Sequence, residues 1–255
     1  MQNVSFDNEL PNSDWKIEPK RFLLYFLISI FFAVLQIQQS LHQGQLSLPP
    51  SYDDVSYFND ALSRINIFYD QGFRGLISNY VVNPPHSFVS TFLAFIGFAI
   101  FGIQEWVPSF MNFIIIFAVL IFLDYSTRGL NFLWKIVITI ISLTWLLMGH
   151  AIIEFRPDIF CGLLTAMAVI LITEKSWLSI TQFRQVIVGI IVGLSLIIKP
   201  TVFPVTIILI VSSFLGGCLV DKYLFDAQYN LKNFLAGSKP FLISCLLISL
   251  IYYSV

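Results

Sequence analysis

The chain has 255 residues, a mean hydropathy of +0.81 and a formal net charge of −1, with 57% hydrophobic and only 11% charged residues. A soluble domain carries about a quarter charged residues, so this composition argues against a soluble globular protein and for a polytopic membrane protein. It has no basic patch of useful size, which argues against a nucleic-acid partner.

Residues 1–21 are polar and carry Lys16, Lys20 and Arg21. The apolar run 22–38 follows without a small-residue cleavage site, so it reads as an uncleaved first span. Further spans are predicted at 107–123, 133–149, 157–173, 180–198, 201–219 and 240–255. The run 88–103 is ambiguous. Polar, proline-bearing stretches bound it ("NPPH" and "QEWVP"), and Gly97 and Gly102 weaken its interior. Cys161, Cys218 and Cys245 fall inside apolar runs without metal-ligand spacing and read as small packing residues. Gly189 and Gly193 form a GxxxG pattern that points to close helix packing. The expected fold class is all-α: a transmembrane helical bundle of about seven spans in a single domain, 1–255.

Basic residues stay on the cytoplasmic side, and the three before the first span place the N-terminus inside. The loop 39–87 is then external. If 88–103 does not cross, the inside holds ten of the fourteen Lys and Arg: Lys16, Lys20, Arg21, Arg128, Lys135, Lys175, Arg184, Lys222, Lys232 and Lys239. If it crosses, the inside holds only five. The segment 88–103 is therefore predicted to be interfacial or re-entrant. This choice gathers Asp53, Asp54, His86, Glu105, Arg156, Asp158 and Lys199 on the external face.

Four stretches carry candidate chemistry. In "LPPSYDDVSYFNDALSRI" (48–65), Val55, Phe58, Leu62, Ile65 and Tyr69 recur at spacings of three and four. They predict an amphipathic juxtamembrane helix whose polar face bears Asn59, Asp60, Ser63, Arg64 and Asn66, with Asp60 and Arg64 spaced to pair. Asp53 and Asp54 stand at its start. One of them suits a helix cap, which leaves the second carboxylate to be explained. "NPPHSF" (83–88) stiffens the entry to the ambiguous segment. "HAIIEFRPDIF" (150–160) crowds His150, Glu154, Arg156 and Asp158 at the join of two predicted spans; its plain reading is a solvated turn in which Arg156 and Asp158 neutralise each other. "GLSLIIKPTVFP" (193–204) places Lys199 and Pro200 between two spans, where a lysine either snorkels to the headgroups or meets an anion.

In this order the four stretches resemble the dolichyl-phosphate-mannose-protein mannosyltransferase superfamily, which includes the bacterial aminoarabinose transferases. These are integral-membrane glycosyltransferases of the GT-C fold. The resemblance rests on Asp53, Asp54, Tyr57 and Ala61, then Pro84, Pro85, Phe101 and Gly102, then Arg156, Pro157 and Asp158, then Gly193, Leu194 and Lys199. It covers about residues 15–220. The family often has a histidine before the two prolines; here Asn83 precedes them and His86 follows. Family members commonly run longer, with more spans and an external C-terminal part, so the resemblance implies a domain incomplete at its C-terminus.

The resemblance implies transfer of a sugar from a polyprenyl-phosphate donor to a lipid, glycan or protein acceptor on the external side. Asp53 would be the general base, with Asp54 and Asp158 as the other acidic residues of the site. Arg156 and Lys199 would bind the donor phosphate, and Tyr57 and His86 would contact substrate. No cofactor or metal is required, although Asp53 and Asp158 leave room for a divalent ion. The expected location is a bacterial inner membrane with the N-terminus cytoplasmic, or an ER membrane in a eukaryote, with membrane lipids as neighbours. The competing readings are a transporter or lipid flippase and a catalytically inactive membrane scaffold.

Overall fold

A computed structural model describes residues 16–44, 53–85, 87–144, 157–174, 177–225 and 231–253. Among the described residues all regular structure is helical. In chain order the helices are α1 (Pro19–His42), α2 (Asp53–Val82), α3 (Phe88–Phe101), α4 (Val107–Met111), α5 (Phe113–Ser126), α6 (Phe132–Thr144), α7 (Asp158–Thr173), α8 (Gln182–Ile198), α9 (Phe203–Phe225), α10 (Leu231–Gly237) and α11 (Lys239–Tyr253).

Each predicted span falls mainly on helix over its described residues. Two stretches are long and apolar enough to cross a membrane: Pro19–His42, and Val107–Ser126 across the α4–α5 joint. At 1.5 Å per residue they measure about 36 Å and 30 Å, against a hydrocarbon core of about 30 Å. The other apolar helical stretches among the described residues run 10–17 residues, that of α9 being Phe203–Leu219. The apolar side chains turn outward as much as inward: Phe22, Leu27, Phe31, Ile208 and Leu247 are among many that stand exposed.

Three apolar clusters hold the helices together. The first joins α7 and α8 to α9 and α11 through Leu164, Ala168, Val188, Val192, Ile210 and Phe241. Its closest approach is at Gly189 and Gly193. A Cβ on Gly189 would collide with the Phe241 carbonyl oxygen, and one on Gly193 would lie 2.8 Å from Ile248 Cβ. The GxxxG expectation therefore holds, with α11 as the partner. The second cluster joins α2 to α3 and α4 through Tyr57, Ala61, Ile65, Phe95, Phe98 and Met111. Gly97 permits it, since a Cβ there would lie 2.6 Å from Val107 Cγ1. Gly97 thus lets α3 and α4 approach, and Gly102, at φ +80°, ends α3 in the left-handed region where glycine is favoured. The third cluster packs Ala33 of α1 against Ile116 and Leu120 of α5.

α2 is not one straight helix. Gly72 breaks it with φ +67° and ψ −165°. In an unbroken helix Arg64 and Asn83 would be about 28 Å apart along the axis, yet Arg64 Nη2 donates to the Asn83 carbonyl. The limb 73–82 therefore folds back beside the limb 53–71. The amphipathic pattern is corrected in the same region: Arg64, placed on the polar face by periodicity, is 3% exposed, and Tyr69, placed on the apolar stripe, is 69% exposed. The face that packs on α3 is centred on Tyr57, Ala61 and Ile65. Returning the chain at Gly72 covers Arg64 with Tyr80 and Asn83 and leaves Tyr69 near the turn without cover.

Candidate functional site

Charged groups collect at the two ends of α7, which are about 24 Å apart. At its C-terminal end Glu174 receives Tyr125 Oη at 2.6 Å, Arg184 Nη2 at 2.5 Å and Arg128 Nη2. Burial disfavours the Glu174 charge, but the Tyr125 hydrogen bond and the two guanidinium groups outweigh it and hold its carboxyl below the usual range. A second group forms where α1 starts and α5 ends. The buried Asp124 carboxylate accepts from Arg21 Nη1 at 3.2 Å and from Tyr25 Oη at 3.1 Å, with Lys135 Nζ at 3.9 Å. The N-terminal end of α1, the C-terminal ends of α5 and α7 and the N-terminal end of α8 therefore carry one set of ion pairs. Sequence reading counted four of these cations for sidedness and missed the two carboxylates that gather them; Asp124 and Glu174 in a charge-poor chain were the available signal.

The opposite ends of α7 and α8 carry a different pair. Asp158 opens α7 and Lys199 caps α8, where extended backbone and Pro200 stop the helix. Lys199 Nζ donates to Asp158 Oδ1. Each charge suits its helix end, since an anion is favoured at an N-terminus and a cation at a C-terminus. The Asp158 side chain is 42% exposed and that of Lys199 22%. Asp158 Oδ2 is buried without a hydrogen-bond partner among the described residues.

Below this pair runs a groove of about 380 Å³ between α7 and α9, lined by Asp158, Cys161, Thr165, Val169, Thr206 and Leu209 among others. Its head is charged and its walls are mainly apolar. A second groove, of about 490 Å³ between α9 and α10–α11, is lined by residues such as Phe214, Phe234 and Phe241 and, among the described residues, by no charged side chain. The α7–α9 groove alone of these two offers both a hydrocarbon surface and an ionic head.

Of the residues named from sequence, Asp158 and Lys199 are brought into contact. Tyr57 is 2% exposed and packs in the α2–α3 cluster. Asp53 and Asp54 begin α2, and their side chains lie outside the described residues, as do His86 and Arg156, together with His150 and Glu154. The first turn of α7 (Ile159 and Phe160) packs against the cluster that holds Tyr57 and Ala61, so the helix opened by the paired aspartates and the Asp158–Lys199 pair meet through one apolar cluster. Among the described residues Cys161, Cys218 and Cys245 form no disulfide. Among the described residues no three metal-ligating side chains come together.

The burial of Arg64 was not legible in the sequence. Arg64 donates to the Asp60 carbonyl at 3.0 Å and to the Asn83 carbonyl, pairs with Asp60 Oδ1 at 3.5 Å, and lies 4.6 Å over the Tyr80 ring. The Asp60–Arg64 spacing was legible; the far partners were not.

Comparison with known protein families, with curated proteins and with solved structures finds no match to this chain.

Proposed function

We propose that the chain is a membrane-embedded glycosyltransferase of the GT-C type, transferring a sugar from a polyprenyl-phosphate donor to an acceptor on the external side of the membrane. The observation that carries this reading is the Asp158–Lys199 pair at the head of the apolar α7–α9 groove. A lipid phosphate has the same two parts, a hydrocarbon chain and an anionic head.

The charged ends support the sidedness the reaction needs. Arg21 at the start of α1 meets Asp124 at the end of α5, so these two ends lie on one side of any bilayer that both helices cross. The chain between α1 and α4 then makes no net crossing, in keeping with a non-crossing 88–103. In the proposed bundle of about seven spans, the Asp158–Lys199 pair shares the external side with the start of α2.

In the proposed reaction Asp53 takes the proton of an acceptor hydroxyl. The acceptor oxygen bonds to the anomeric carbon as the bond from that carbon to the phosphate oxygen breaks. The lipid phosphate departs with the electron pair, its charge offset by Lys199 and Arg156.

The test is transfer from a panel of labelled polyprenyl-phosphate sugars by the full chain in proteoliposomes. Transfer that is lost in Asp53→Asn and reduced in Lys199→Gln, with both variants folded, supports the reading. A wild-type chain that moves labelled lipid between leaflets without transferring sugar overturns it in favour of a flippase.

A further inference from the structure

Lys199 is already occupied. Its ammonium group pairs with Asp158, and any anion that enters the groove head competes with that carboxylate. We propose that Asp158 is a displaceable competitor for Lys199: an arriving lipid phosphate takes the ammonium from it, and Asp158 recaptures the ammonium to expel the spent lipid phosphate. This rests on the lipid-phosphate reading of the site.

Three observations carry it. First, the pair is poised between buried and free. The Asp158 side chain is 42% exposed while its Oδ2 is buried, so losing its partner returns only part of the carboxylate to water, and recapture of the ammonium stays favourable. Second, Asp158 lines the groove and Lys199 stands behind it, paired to the carboxylate, so a headgroup in the groove reaches the ammonium by taking the place of Asp158. Third, both partners are fixed by helix ends. Asp158 stays in the first turn of α7 and Lys199 at the cap of α8 whether paired or parted. The pair can therefore open without moving either helix.

The charges give the competition a direction. A sugar-bearing lipid phosphate is a diester with one negative charge. After transfer, the lipid phosphate is a monoester with about −1.5 to −2 at neutral pH. The product thus holds Lys199 more tightly than the donor did, and a site without a competing carboxylate retains it. Asp158, held beside the lysine, offsets that retention. It acts as a positioning residue toward Lys199, and the readout is affinity for the product lipid, which a purely structural bridge between α7 and α8 does not tighten.

The experiment uses the full chain in nanodiscs of zwitterionic lipid. Binding of a long-chain polyprenyl phosphate without sugar is compared with binding of the neutral polyprenol of the same length. Wild type is expected to prefer the phosphate. Asp158→Asn is expected to tighten the phosphate by about two- to fivefold, the range for a partly exposed ion pair, and to leave the polyprenol unchanged. Lys199→Gln is expected to bring the phosphate to the polyprenol level and to cancel the effect of Asp158→Asn in the double variant. Asp158→Ser, which keeps a short polar side chain in the first turn of α7, serves if the asparagine variant does not fold. If wild type binds phosphate and polyprenol alike, the lipid-phosphate reading falls. If wild type prefers the phosphate through Lys199 but neither Asp158 variant tightens it, the competition is wrong and the reading stands.

Discussion

Arg64 shows how much one buried side chain can hold. It bridges the limbs of α2 through the Asp60 and Asn83 carbonyls and covers Tyr80. Burial, followed by the charge of Asp60, outweighs Arg64 and pushes the Tyr80 phenol up to about 12, so Tyr80 faces the guanidinium as a neutral ring. Arg64→Met is expected to cost about 3 kcal/mol, because it removes the donor that ties the Asn83 carbonyl to the other limb and the buried cation that pairs with Asp60. Arg64→Lys is expected to recover little of this, since an ammonium cannot serve carbonyls on two limbs as a planar fork does. Thermal unfolding in detergent and protease sensitivity near Gly72 read both. Glu174 gives a pH-dependent case. Its folded carboxyl titrates below the unfolded value of about 4.3, so its contribution is complete above that value and is lost as pH falls through the folded one. Glu174→Gln is expected to lower stability by about 1–3 kcal/mol at neutral pH and to erase the difference from wild type in strong acid. A stability gap that persists unchanged in acid would show that the charge is not what matters there.

Helix contacts here are decided by glycine. At Gly189 the obstacle to a side chain includes the Phe241 carbonyl of α11, which is backbone. Gly189→Ala is therefore expected to destabilise by about 1–3 kcal/mol, and trimming Ser244 to glycine is not expected to restore it. Gly97 is the opposite case, because its nearest obstacles are the side chains of Val107 and Met111. Gly97→Ala is expected to be rescued in good part by Val107→Ala, and unfolding of the four proteins of that double-mutant cycle measures the coupling. Equal rescue at both glycines would refute the distinction between backbone and side-chain contact. The sequence displayed both glycines, and the GxxxG spacing announced packing at one. It could not name the partner helix, because many apolar faces present similar surfaces to a small-residue stripe. The return of α2 was equally hidden: Gly72 is an ordinary glycine in the sequence, and only the distant Tyr80 and Asn83 show that the chain folds back there.

At the scale of the whole molecule, the ion pairs that join α1, α5, α7 and α8 among the described residues are sorted to the two ends of these helices. One end carries the knots around Asp124 and Glu174, the other the Asp158–Lys199 pair. Single cysteines replacing Ser56, Gln104 and Thr201 in a chain without its three native cysteines are expected to react with a membrane-impermeant thiol reagent on intact cells. Cysteines replacing Leu130 and Ser179 are expected to react only after permeabilisation. Labelling at Ser56 without labelling at Gln104 and Thr201 would mean that 88–103 crosses, and the acidic groups could not share one site. The sequence by itself determined the helical class, the placement of the apolar segments and the scarcity of charge, because these follow from composition and periodicity over neighbouring residues. It also identified Asp158 and Lys199 as unusual, since a charge amid apolar residues is visible locally. Only the tertiary structure decided that these two pair, that Arg64 is buried, and that Asp124 and Glu174 draw together cations from three helices and a turn. Such partners lie tens of residues apart in the chain, and what joins them is the packing of helix on helix, to which local pattern is blind.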